Sequence, residues 1–162
     1  MHVSFRDGFY AGLISAIALG LFLSWLWRPE RQVRLHNEHL LAAIEQKKWS
    51  SVADFIDEAY QDRWGNDRAL LLSRLREVMR YMRNLRIAAA AVEVRAAPNG
   101  AQWSARITVD ADASELTALV KDRVNGLESP FAFEWRHASG KPWDWKLSRV
   151  SHDKLELSDA AY

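Results

Sequence analysis

From Gly8 to Trp27 the chain reads GFYAGLISAIALGLFLSWLW, a run without a single charge. A helix of this length rises about 30 Å, the thickness of a bilayer's hydrocarbon core. Phe9 and Tyr10 stand at one end and Trp25 and Trp27 at the other, and aromatic rings favour the two membrane interfaces. The start, MHVSFRD, carries one Arg and one Asp, and LSWLWRPE offers no small-residue cleavage site. The run therefore reads as a retained anchor, rather than a cleaved signal peptide or a core helix. Within it a small residue returns every fourth place, at Gly8, Gly12, Ala16, Gly20 and Ser24. On a 3.6-residue helix these form one slanted stripe along which two backbones can approach closely. The stripe is expected to pair with a second copy or with another membrane protein. The alternative is that small residues are simply common in membrane helices.

Beyond Pro29 the period is helical. Val33, Leu40, Leu41 and Ile44 make a thin apolar stripe over residues 31–48. In WSSVADFIDEAYQDRWG, Val52, Phe55, Ile56, Ala59 and Tyr60 recur at three and four, which predicts one helix capped by Ser50 or Ser51 and ended by Gly65. Asn66 is then expected to cap a helix burying Leu71, Leu75, Val78, Met82 and Leu85. After Leu85 the period becomes two. RIAAAAVEVRA and AQWSARITV flank Pro98-Asn99-Gly100, the pattern of a hairpin with Trp103, Ala105, Ile107 and Val109 on its dry face. Residues 114–126 fit helix or strand equally well. PFAFEWRH and WDWKLSRV follow, with Phe131, Phe133, Trp135 and His137, then Trp143, Trp145 and Leu147, on single faces. Helices first and antiparallel strands afterwards predict an α+β domain with helices on one face of a sheet.

The division expected is an N-terminal tail and transmembrane helix (1–30), a juxtamembrane helix (31–48), an α+β domain (49–157) and a tail (158–162). The 162 residues carry a formal net charge of +1, so no basic field exists to hold nucleic acid. The absence of cysteine excludes disulfides, thiol catalysis and cysteine-ligated metal. His36 and His39 lie three apart but have no third ligand nearby, so no metal or other cofactor is expected. Arg28, Arg31 and Arg34 follow the span, while Arg6 and the terminal amine precede it, which places the domain on the cytoplasmic side of a single-pass membrane protein, in the inner membrane if the source is bacterial. Short-tailed anchors also insert the other way round.

The stretch WSSVADFIDEAYQDRWGNDRALLLSRLREVM and the late pair PFAFEWRHASGKPWDWKLSRV resemble the nuclear-transport-factor-2-like superfamily, including its SnoaL-like domains, over residues 45–157. The resemblance implies a cone of helices wrapped on a curved antiparallel sheet, with the pocket at the cone mouth. It covers isomerases and dehydratases as well as many non-catalytic members. Tyr60, Trp64, Trp103, Phe133, Trp135, His137 and Trp145 are the candidate pocket residues. Enzymes on this fold need a carboxylate or a His–Asp pair in an apolar cavity, where burial tunes a base. Only His137 shares the inward parity, and it lies at a strand end; Asp144 faces outward. With so many large rings inside, no catalytic residue is assigned. The expectation is a non-catalytic interaction module in a membrane assembly, with an enzyme or binder of a small apolar ligand as the rival.

Overall fold

In this computed structural model, residues 5–97, 99–112 and 115–155 are described. The elements are α1 (Phe5–Leu26), α2 (Pro29–Glu45), α3 (Trp49–Phe55), α4 (Arg68–Arg80), β1 (Arg86–Ala97), β2 (Gly100–Asp110), α5 (Glu115–Asn125), β3 (Phe131–His137) and β4 (Trp145–Ser151). The strands form one curved antiparallel sheet in the order β1-β2-β3-β4. The tail 158–162, the turn residue Pro98 and residue 114 of the ambiguous segment lie outside the described residues. Glu115–Asn125 is a helix.

The first elbow is set by Pro29 at the start of α2, which supplies no amide to continue α1. Gln32, 7% exposed, donates from Nε2 to the Leu26 carbonyl at 2.9 Å, satisfying an orphan acceptor at the end of α1. Val33, Leu40, Ala43 and Ile44 then pack into the core against the sheet. The stripe that they form also holds Asn37, 1% exposed, whose amide donates back to the Val33 carbonyl at 2.9 Å. α2 closes in a Schellman motif with a lysine where glycine is usual. Lys47, at φ 54°, donates to Ile44 O, and Lys48 donates to Ala43 O. The Lys47 ammonium donates to Met82 O at 2.7 Å, tying that strained position to the end of the next helical layer.

Two expected elements differ. The helix over 49–65 stops at Phe55, and its N-cap is Lys48 with no side-chain cap, not Ser50 or Ser51. Its continuation is diverted by aspartates. Asp57 accepts from Ala59 N at 2.8 Å, and Asp62 accepts from Trp64 N and Asn66 N at 2.9 and 2.8 Å. Such local side-chain bonds compete with helix. The freed segment pairs with the edge of β4, through Asp57 N to Leu147 O and Gln61 N to Ser148 O. This covers an otherwise open strand. Gly65, at φ 81°, serves the turn that follows rather than a helix end. The cap of α4 is Asp67, which accepts from Leu70 N at 2.8 Å; Asn66 is instead buried against Asp62 and Arg74. No residue of α4 is fully buried, so Leu71, Leu75 and Val78 make a half-covered stripe, while Met82 and Leu85 beyond the helix are core.

The sheet carries two irregularities. At Ala91, φ 52°, β1 bulges and its inward parity switches from Ile87 and Ala89 to Val92 and Val94. In β4 the register shifts at Ser148, so Leu147 faces Trp135 and Val150 faces Phe133. The expected dry face of β2 is present, with Trp103, Ala105, Ile107 and Val109 all buried. Where β3 no longer pairs with β2, Asn125 of α5 takes its place, accepting from Val109 N and donating to Val109 O at 2.8 and 3.0 Å.

Candidate functional site

The apolar helix meets the domain at its C-terminal end, where Gln32 bonds to the Leu26 carbonyl and Arg31 lies over the Trp25 ring. Its window Gly8–Leu26, long and apolar enough to cross a membrane, has a mean hydropathy of 1.9, and none of it is buried by the described residues. A Cβ added at Gly8, Gly12 or Gly20 would meet nothing within 4 Å. The small-residue stripe thus has no neighbour among the described residues of its own chain.

Inside the domain, the candidate pocket residues separate into distinct groups. Trp103, 2% exposed, meets the Phe133 ring edge to face at 5.0 Å. Trp135, also 2% exposed, packs edge to face on His36 at 5.7 Å and on Phe55 at 6.5 Å. His137 is exposed and lies over the buried Trp145 ring at 3.8 Å, while Trp145 Nε1 donates to Pro142 O at 3.0 Å. Tyr60 is buried, and burial pushes its phenol pKa up, so it stays neutral. Trp64 is half-buried and donates from Nε1 to Leu155 O at 2.7 Å. Trp143 departs from its expected inward place. It lies before β4, is 53% exposed, and its ring sits 6.4 Å from that of Trp27.

Two histidines carry structure that the sequence did not signal. His36 is half-buried. Its Nδ1 faces Gln32 O at 2.8 Å, and burial lowers its pKa from the ordinary value. His39 is exposed. His152, 1% exposed, fits one tautomer: Nε2–H donates to Ser129 O at 2.9 Å while Nδ1 accepts from Lys154 N and Leu155 N. It ties the chain beyond β4 to the loop before β3.

Two of the open recesses bordering the domain include candidate pocket residues. One, of about 300 Å³, runs between α2 and the inner face of β1, with Trp103 at its floor and Arg34, Glu38 and Glu45 at its rim. Glu45 is already engaged, accepting from Ile87 N at 2.6 Å. The other, of about 640 Å³, is a polar cleft beside the end of α3, lined by Asp57, Arg68, Arg136, His137 and Lys146. Its one buried carboxylate, Asp57, is gripped by Arg136 through both oxygens at 2.5 Å. That guanidinium holds the Asp57 carboxyl below the usual carboxylate range. An acid held ionised and doubly bonded suits a structural clamp better than proton transfer, which needs a pKa near the working pH. Among the described residues, no three His, Cys, Asp or Glu side chains converge as a metal site.

No known protein family matches the sequence, and no curated protein is similar to it at a significant level. Solved structures are similar in fold. Bd1075 of Bdellovibrio bacteriovorus superposes with a TM-score of 0.59 at 12% identity over 78% of this chain, which spans only 41% of that one. An NTF2-like protein of unknown function from Pseudomonas putida KT2440 gives 0.56 at 11% identity, covering 75% of this chain and 82% of that one. The CaMKII hub of S. rosetta gives 0.55 at 15% identity, over 76% and 94%. With the helices-then-sheet order and the curved antiparallel sheet, these define an NTF2-like fold. At such identities the likeness carries the fold alone.

Proposed function

We propose that this protein is a single-pass, membrane-anchored, non-catalytic SnoaL-like module that works by binding protein partners in a membrane assembly. The observation that carries the reading is the pairing of a bare apolar helix with an aromatic-filled interior. None of the window Gly8–Leu26 is buried by the described residues, while Trp103, Trp135 and Trp145 are each 2% exposed and fill much of the domain's interior with rings. The domain lies on the cytoplasmic side, as the arginines flanking the span favour. The stripe Gly8, Gly12, Ala16, Gly20 and Ser24 is its helix–helix face, toward a second copy or another membrane protein.

The test substitutes the stripe in the full chain and reads association in a membrane two-hybrid assay. Gly12→Ile and Gly20→Ile add apolar bulk, so insertion is retained while close approach is blocked. Leu13→Ile and Leu21→Ile, off the stripe, should leave association unchanged. Equal association in all four variants contradicts the reading of the stripe.

A further inference from the structure

The junction between α1 and the domain is held by more than a peptide linkage. Gln32 bridges to the Leu26 carbonyl across the break at Arg28 and Pro29. The Arg31 guanidinium lies over the Trp25 ring, 3.7 Å from its centroid. The third element comes from far along the chain: Trp143, in the loop 138–144 between β3 and β4, brings its ring to 6.4 Å from Trp27. That loop is built rather than slack. Ala138 N donates to Asp144 O at 2.9 Å, Asp144 N to Lys141 O at 3.1 Å, and Trp145 Nε1 to Pro142 O at 3.0 Å. Although framed in this way, Trp143 remains 53% exposed and Lys141 is exposed beside it.

A large ring held out by a closed loop costs free energy in water, and its place next to Trp27 says what covers it. The window Gly8–Leu26 has 19 residues and rises about 28 Å, close to the hydrocarbon thickness, so its depth in a bilayer has little freedom. Trp27, one residue past that window, is then at the interface, and Trp143 beside it is at the same level. Tryptophan favours that level because its ring is amphipathic. The flanking charges fit an anionic headgroup layer: Arg28, Arg31, Arg34 and Lys141 outnumber Glu30 and Asp144.

We infer that the β3–β4 loop is a second membrane contact, with Trp143 seated among the headgroups of the bilayer that α1 crosses and Lys141 beside it. The inference rests on the anchor reading of α1. Its consequence is orientation. Two attachment points, α1 and the loop, stop the domain from swivelling about the elbow and fix which of its faces meets neighbouring proteins.

The absence of cysteine allows single labels in the full chain. Gly140→Cys places a dye in the loop without touching Trp143, at a position where a side chain meets nothing within 4 Å. Ile14→Cys reports mid-span and Leu119→Cys, 68% exposed on α5, reports the aqueous side. The chain is reconstituted in vesicles of phosphatidylcholine and phosphatidylglycerol carrying nitroxides near the headgroup or deep in the acyl chain, with iodide outside. The label at 140 should be quenched by the headgroup nitroxide and shielded from iodide. Adding Trp143→Ala should move its quenching toward that at 119, and Trp143→Phe should restore part of the shielding. If the 140 label behaves like the 119 label while the 14 label is reached by deep nitroxide, the loop contact is refuted and the anchor stands. Indifference of the 140 label to Trp143→Ala refutes the role of Trp143. If iodide reaches the label at 14, the anchor reading itself fails, and the loop contact with it.

Discussion

Trp135 and Trp145 are equally buried but differ in one hydrogen bond, and that difference separates packing from polar satisfaction. Each is 2% exposed. Trp145 Nε1 donates to Pro142 O at 3.0 Å, whereas Trp135 Nε1 is buried with no hydrogen-bond partner among the described residues. Truncation to alanine removes the same ring from each site and costs about 3–5 kcal/mol. For a domain whose total stability is about 5–15 kcal/mol, that is a large share. At about 4 °C per kcal/mol, either variant should melt about 12–20 °C lower. Trp→Phe is the sharper comparison. At 135 it deletes an N–H that was desolvated without return, leaving only the cavity term. At 145 it also strips the donor from a carbonyl that closes the β3–β4 loop, at about 1–2 kcal/mol. Trp145→Phe should therefore melt about 4–8 °C below Trp135→Phe by near-ultraviolet circular dichroism of the full chain in detergent micelles. Equal midpoints, or the opposite order, would refute the bookkeeping. Alanine variants that melt like the parent would show both rings to be surface, and so part of a binding face.

Three further outcomes are expected. Asp57→Asn should flatten the acid limb of stability: bonding to Arg136 depresses the folded carboxyl pKa, so its stabilisation is present above the unfolded value of about 4 and fades as pH falls through the lower folded value. Parallel urea midpoints for variant and parent between pH 2 and 5 would contradict that. Gly100→Ala should destabilise sharply, because the added Cβ would stand 2.0 Å from the Trp135 carbonyl oxygen, a backbone atom that cannot swing aside; an unchanged melting midpoint would refute the close approach. A reporter active only outside the cytoplasm, fused after Tyr162, should be silent, and a cytoplasmic one active; the reverse pattern overturns the arginine argument.

Strong periodicity was legible. The stripe of α2 and the dry face of β2 follow from spacing, because burial on one side imposes it, and the long apolar helix α1 follows from its uncharged run. What spacing hid was local competition. Val52, Phe55, Ile56 and Tyr60 keep helical intervals, yet Asp57 and Asp62 bond their own backbone and turn the chain along β4. The four alanines at 88–91 show no parity, so the bulge at Ala91 left no trace. Lys47 ends α2 where a glycine would have announced the end. At the candidate site, Tyr60, Trp103, Trp135 and Trp145 are buried, Trp64 and Phe133 half-buried and His137 exposed, and the partners of these rings left no mark in the spacing. His36 packs on Trp135 and Phe55, a contact between elements distant in sequence that no local spacing signals. Trp143 shares strand parity with Trp145 but falls outside the strand, so parity misplaced it.

The central claim is that this chain works by assembling with proteins rather than by holding a small molecule. Native mass spectrometry of the full chain released gently from membranes tests it most directly. The account predicts a defined complex, either of several copies or with another membrane protein, that falls to monomer on Gly12→Ile with Gly20→Ile. A monomeric parent that carries a stoichiometric, non-lipid small molecule would contradict it.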